Sequence, residues 1–254
     1  MTNNDNHLSI DLVKENWGNV KHETYNIVVL PWGAIEPHNY HLPYLTDCYL
    51  SHGVAQASAV YAAENMGVNA MVMPPVMFGA QNPGQWNKPF CIHTRVETQK
   101  AILEDLVYSL HRQGFSNLLI VNAHGGNSFK PLIRDLAFEL PDFRIAALDW
   151  WTILPYNEYF GEKIDEHAGE LETSAMLFFY PELVTMNLAG NGAVKPFNVP
   201  SIENKTAWMP RHWDVVSEDT GIGYPKNASA EKGERYVKDV VSKIAQVIKE
   251  LAEK

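Results

Sequence analysis

Cysteine is scarce: the 254-residue chain has two, Cys48 and Cys91. They offer no disulfide framework, and their scarcity fits a reducing compartment in which both stay free thiols. Positive charge is also short. Lysine and arginine total 20 against 30 aspartates and glutamates, a formal net charge of -10. Such a chain repels phosphate backbones, which argues against nucleic acid as a partner. No run of 18 apolar residues occurs, so no membrane span is expected. The opening MTNNDNHLSI has no basic segment followed by an apolar one, so no secretory leader is expected and the chain reads as cytoplasmic. There is no internal repeat and no low-complexity linker, and only Met1 to His7 reads as disordered.

The rest is ordinary globular composition, 46% hydrophobic and 20% charged. A single domain over residues 1–254 can bury roughly three-quarters of its unfolded surface without staples. Apolar runs alternate with amphipathic stretches. Strands are expected at Asn26 to Pro31, Asn69 to Pro74, Asn117 to Asn122 and Arg144 to Leu148. Helices are expected from Thr46 to Asn65, from a Thr94/Glu97 capping box toward Gly114, from Ser128 to Leu140, from Glu170 to Tyr180 and from Ser229 to Ala252. Strands separated by helices imply parallel pairing with helices on both faces, an α/β architecture whose site lies at the carboxyl ends of the strands. The stretch Met186 to Lys226, rich in Pro, Gly and Asn, has no clear period. It reads as a lid, a set of short turns or an oligomer contact.

Three segments carry chemistry. The first, PWGAIEPHNYHLPYLTD, places Glu36 and His38 two residues apart after the first strand. On extended chain both share one face, with Cα atoms ~7 Å apart, so both can reach one metal centre. Asp47 follows at a helix start, able to bind metal or accept backbone N–H bonds; the plainer reading is a polar turn and a helix cap. The second, NAHGGNSFKPLI, puts His124 at a strand end before Gly125 and Gly126. The glycines permit positive φ and close backbone approach, and Asn127 is placed to cap the next helix; a His needed only for turn geometry is the rival. The third, HAGELETSAMLFF, crowds His167, Glu170 and Glu172 at a helix start. There the acids either serve the helix dipole or face a site, with Glu172 favoured over Glu170. His41 lies beside the first cluster, in a supporting or structural role. His7, His22, His52, His93, His111 and His212 show no partner pattern, and Trp150 and Trp151 are candidates for an aromatic wall.

GAIEPHNYHLPYLTD, NAHGGN, HAGELETS and, more weakly, TGIGYPKNASAEKGE lie in order across most of the chain. Together they resemble the creatininase (creatinine amidohydrolase) family. The resemblance implies a three-layer α/β/α sandwich with a mainly parallel central sheet, a homo-oligomer, often a hexamer, and one or two divalent metals, zinc first, then manganese or iron. It implies Glu36 and Asp47 on one metal and His38, Asp47 and His124 on the other, with His167 transferring protons. This chain departs from creatinine-cleaving members, which carry a glutamate ligand where Gly126 stands, a stacking Trp where Lys163 stands, and Gln and Gly where Pro37 and Asn39 stand. His-Gly-Gly-Asn resembles other branches, among them a formamide-cleaving deformylase of flavin and deazaflavin biosynthesis and a peptidase trimming a cofactor precursor peptide. The missing ligand needs a substitute, and Glu172 is the expected one, as ligand and as catalytic residue beside His167. The expected function is hydrolysis of a small amide, cyclic amide or formamide by metal-activated water. The alternatives are a non-catalytic metal- or ligand-binding oligomer and a metal-assisted lyase or isomerase.

Overall fold

The structure, a computed structural model, describes residues 9–161 and 165–253. His7, the N-terminal stretch read as disordered and the Lys163 position lie outside the described residues. In chain order the elements are α1 (Trp17–Val20), β1 (Ile27–Trp32), α2 (Thr46–Met66), β2 (Ala70–Val72), α3 (Val96–Arg112), β3 (Asn117–Asn122), α4 (Lys130–Glu139), β4 (Arg144–Asp149), α5 (Glu170–Phe179), α6 (Pro200–Glu203), α7 (Trp213–Val216) and α8 (Ala230–Ala252).

The strands form one parallel sheet in the order β2-β1-β3-β4. Every residue of β1 and β3 is buried, because the pleat sends alternate side chains into two cores. Ile27 and Val29 pack with Leu119 and Val121 against α2, α5 and α8. Val28, Leu30 and Trp32 pack with Leu118 and Ile120 against Leu103 and Val107 of α3 and Leu132 and Leu136 of α4. Helices therefore cover both faces of the sheet. The last helix, α8, is capped by the Ser229 side chain, which accepts from the Lys232 N–H, and buries Tyr236, Val237, Val240, Val241, Ile244 and Ile248 along one stripe.

From β1 the chain moves through α2 to β2 on one side, then through α3 to β3 on the other. That reversal of strand order opens a crevice at the carboxyl ends of β1 and β3, where open α/β sheets bind ligands.

Two local expectations fail. Helix α3 begins at Val96 with Arg95 as its N-cap and no side-chain cap bond. The Thr94 N–H goes to the Gly79 carbonyl and its own carbonyl accepts from Gln99 Nε2 at 3.0 Å, so tertiary contacts displace the capping box. Asn127 does not cap α4, whose N-cap is Phe129. Its side chain instead accepts from the Ala80 N–H and donates to Asn122 Oδ1, tying two loops together. The stretch between Met186 and Lys226 forms short turns around a small core of Trp213, Val216 and Ile222, with Phe197 against it. Among the described residues no helix is long and apolar enough to cross a membrane.

Candidate active site

Glu36 and His38 lie in the loop after β1, Asp47 in the first turn of α2, His124 just after β3, His167 before α5 and Glu172 in its first turn. The fold brings all six to one point. His124 Nδ1 is 2.9 Å from Glu36 Oε1 and 3.1 Å from Asp47 Oδ2. His38 Nε2 is 2.9 Å from Asp47 Oδ1. His167 Nδ1 is 3.7 Å from Glu36 Oε1. Glu36, His38, Asp47, His124 and His167 are buried.

Each imidazole is aimed by the backbone. His38 Nδ1 faces the Glu36 carbonyl at 3.1 Å, His124 Nε2 the Ala80 carbonyl at 2.7 Å, and His167 Nε2 the Pro37 carbonyl at 3.0 Å. A carbonyl only accepts, so each of these nitrogens carries the proton and the opposite nitrogen points at the acids. That is the support metal-binding histidines receive.

The electrostatics are those of a cation site. Burial alone would keep His38 and His124 neutral. The facing carboxylates outweigh it, Asp47 first for His38, which is pushed up to about 10, and Glu36 first for His124, which is raised well above its ordinary value. Glu36 is held well below the usual carboxylate range, because His124, His167 and His38 overcome the effect of burial. Glu172 is pushed up to about 8 by burial, with Asp47 adding to it against the opposing pull of His38. Burial keeps His167 below its ordinary value, hence neutral near pH 7.

The donor set fits a divalent ion. Three groups of side chains have ligand atoms within 4.8 Å of one another: Glu36, Asp47 and His124; His38, Asp47 and Glu172; and Glu36, His38 and His167. Asp47 is shared by the first two. Although Asp47 Oδ2 is close to His124, no hydrogen bond of proper geometry reaches it, and a buried unpaired carboxylate oxygen is costly unless a cation answers it. This grouping differs from the one the resemblance implied: His124 joins Glu36, and Glu172 joins His38. The Asp47 carboxylate is bonded to His38 and no side chain caps this helix start, so helix capping does not account for it.

Gly125 and Gly126 adopt no positive φ. Gly126 is needed for close approach, since a Cβ there would lie 1.9 Å from the Ala80 carbonyl oxygen. A glutamate side chain has no room at this position. Glu170 turns away from the cluster, bonding Lys232 and the Gly161 N–H. His41 is buried and bonds Thr173 Oγ1 at 2.8 Å, outside the cluster. Of the two tryptophans, Trp150 is buried in the core against Tyr236, while Trp151 lines the cleft. The wall on the other side is Trp213, whose ring meets His167 edge-on at 5.6 Å.

Sequence reading missed Gln85, whose Nε2 donates to Glu36 Oε2 at 3.1 Å, and Asp165, half-buried near Glu172 and pushed up by desolvation to about 6. Asp165 stands two residues before His167, so its place in the third segment was the available signal. Gln85 and Trp213 lie in segments without periodicity and gave none.

Two cavities meet at Glu36, His124, Gly125, Glu166 and His167. One, of about 100 Å³, holds the acid and imidazole cluster. The other, of about 400 Å³, opens outward past Gln81, Gln85 and Trp213. Fold and site define a class: a three-layer α/β/α protein with a cleft of acids and imidazoles at its strand-order switch, able to hold divalent metal. The family model Creatininase, described as creatinine amidohydrolase, matches residues 14–248, and the chain belongs to this family. Creatinine amidohydrolase of Pseudomonas putida is 28% identical over 250 residues, 88% of this chain and 89% of that protein. Mycofactocin precursor peptide peptidase of Mycolicibacterium smegmatis is 28% identical over 234 residues, 90% of this chain and 86% of that protein. The crystal structure of a Bacteroides fragilis protein provisionally named creatinine amidohydrolase matches with a TM-score of 0.96 and 56% identity over 98% of each chain. Creatininase structures described as Mn and as mutant Zn–Zn types match with TM-scores of 0.77 and 0.76 at 27% and 26% identity, over 95% of this chain and 98% of theirs. The named relatives are hydrolases, one an amidohydrolase and one a peptidase.

Proposed function

We propose that this chain is a metal-dependent hydrolase that cleaves the C–N bond of a small amide, cyclic amide or formamide. The observation that supports it is the convergence of two ligand groups on one shared, buried and partly unpaired carboxylate, Asp47. Glu36, Asp47 and His124 would hold one ion, and His38, Asp47 and Glu172 the other. Nitrogen and carboxylate donors suit zinc first, with manganese or iron next. A divalent ion bound there would acidify water toward neutral pH and polarise the scissile carbonyl. His167 is neutral, and its Nε2 proton is committed to the Pro37 carbonyl. Its Nδ1 is therefore free to collect a proton and pass it to the leaving nitrogen. Creatinine is not the proposed substrate, because the glutamate that creatinine-cleaving members place at the Gly126 position has no room here.

A second reading, cleavage of a peptide, has support of its own. An outer cleft of about 860 Å³ adjoins the 400 Å³ one through Glu166, Trp208, Met209 and Arg211 and adds room beyond that of a small amide, and a related protein is a peptidase.

The test is to load the protein with Zn, Mn or Fe, measure bound metal by mass spectrometry, and screen formamides, lactams, small amides and short peptides for products heavier by one water. We expect stoichiometric metal and turnover, both lost in His38→Ala. Absence of bound metal, together with a silent His38→Ala, would sink the reading and leave a non-catalytic binding protein. Turnover without gain of water would mark a lyase or isomerase.

A further inference from the structure

Thr220, Gly221, Ile222 and Gly223, the start of the fourth sequence segment, run as a strap beside His167. The Ile222 N–H donates to the His167 carbonyl at 2.8 Å, and the His167 N–H donates to the Ile222 carbonyl at 3.0 Å. Asp219 ties the strap down, accepting from the Gly192 and Gly221 N–H groups at 2.9 and 3.1 Å. Within the strap Thr220 is buried and holds φ at 66°. Left-handed backbone is a genuine outlier for a β-branched residue, where a glycine would sit without strain. Such strain persists only where the surroundings over-determine it, and it concentrates at functional sites. What the threonine supplies is a hydroxyl between two peptide groups. Its Oγ1 accepts from the Asn39 N–H at 2.9 Å and donates to the Pro37 carbonyl at 3.2 Å. Those two peptide groups flank His38. The branched side chain restricts the hydroxyl to few directions. The Thr220 carbonyl accepts from Trp213 Nε1 at 2.7 Å, and the Trp213 ring meets His167.

The Pro37 carbonyl is the partner of His167 Nε2, at 3.0 Å. At the opposite edge of the ring, Nδ1 lies 3.7 Å from Glu36 Oε1. A neutral imidazole carries one proton, and its hydrogen bonds decide which nitrogen holds it. A carboxylate is a stronger acceptor than a peptide carbonyl, so a small swing of the Pro37 peptide would hand the proton to Nδ1. There it would point at Glu36 and occupy the lone pair that collects a proton. We propose that Thr220 is a positioning residue for His167: it pins the Pro37 carbonyl against the ring, which keeps the proton on Nε2 and leaves Nδ1 open. Gln85 Nε2 reaches the same carbonyl at 3.3 Å but also serves Glu36 Oε2 at 3.1 Å. The single hydroxyl proton of Thr220 serves the carbonyl alone. The inference rests on the hydrolase reading for the use made of Nδ1, and not for the tautomer itself.

The tautomer is read by long-range proton–nitrogen NMR on the full-length, metal-free protein with isotope-labelled histidine at neutral pH. His167 is assigned by the signals lost in His167→Asn. We expect wild type to hold His167 as the Nε2–H tautomer alone. Thr220→Gly removes the hydroxyl, and glycine takes the positive φ freely, so the fold is kept. In that variant the Nδ1–H tautomer should become the major form. Thr220→Ser, which keeps the hydroxyl, should return His167 to the Nε2–H form. A wild type that already mixes tautomers, an unchanged tautomer in Thr220→Gly, or a change shared by Thr220→Ser each overturns the proposal. Loss of the fold in Thr220→Gly overturns it too, by making Thr220 a residue of stability alone. The tautomer shift in a protein that neither binds metal nor turns over amides keeps the positioning role and sinks the hydrolase reading. Metal and turnover without the shift do the converse.

Discussion

At the scale of single residues, the site is governed by protons standing where a cation would sit. His38 titrates at about 10 and His124 well above its ordinary value because carboxylates face them, while Glu172 is pushed up to about 8. A metal must displace these protons, since ligands bind deprotonated. The sign follows: the competing protons are held below these values and lost above them, so metal affinity rises with pH. Zinc or manganese titrations between pH 6 and 9 should show apparent affinity growing by about tenfold per pH unit for each proton displaced. A flat profile would contradict the assignment of His38 and His124 as ligands. Glu172 is separable from the rest. Its Oε2 accepts from the Ala168 N–H at 2.6 Å, a helix-start contact, yet it also completes the group with His38 and Asp47. Glu172→Ala should remove one of two metal equivalents and keep the ion held by Glu36, Asp47 and His124. Unchanged metal content, affinity and activity would reduce Glu172 to a helix cap.

At the scale of elements, two glycines set distances that larger residues would break. A Cβ on Gly126 would strike the Ala80 carbonyl, and that carbonyl orients His124. Gly126→Ala should therefore weaken metal binding by roughly 10–100-fold, the usual cost of disturbing a ligand's support, read by metal titration while the far-ultraviolet circular dichroism is preserved. Gly233 lets α8 lie against α5, with a hypothetical Cβ 2.0 Å from the Ser174 carbonyl oxygen. Gly233→Ala should destabilise by roughly 1–3 kcal/mol, a fall of about 2–4 °C in melting temperature per kcal/mol for a chain of this size. Because α5 carries Glu172, metal content should fall in the same variant, and an unchanged melting curve would refute the tight contact.

At the scale of the molecule, large aromatic surfaces remain exposed. Trp208 is 84% and Phe90 81% exposed, and Trp208 lines both of the larger clefts beside the site. Loop aromatics of this kind favour an interface, and we expect a homo-oligomer. Sedimentation velocity at micromolar concentration should show a species larger than one 254-residue chain; a monodisperse monomer would count against it. Trp213, in the same irregular stretch, is by contrast 7% exposed and braces His167 within its own chain.

The alternation of strands and helices, and hence the layered architecture, was legible in the sequence because hydrophobic periodicity is a local property. So were Glu36, His38, Asp47, His124, His167 and Glu172, because acids and imidazoles clustered at strand ends and a helix start leave a signature without coordinates. How these six pair was not legible. Which nitrogen of each imidazole faces the acids depends on the Glu36, Ala80 and Pro37 carbonyls, and two of those contacts join segments far apart in the chain. The capping roles read for Thr94 and Asn127 failed for a related reason: the Gly79 carbonyl takes the Thr94 N–H, and the Ala80 N–H and Asn122 take the Asn127 side chain. Gln81, Gln85 and Trp213 carry no periodic mark, and only the folding of their loops over the end of the sheet made them walls of the cleft.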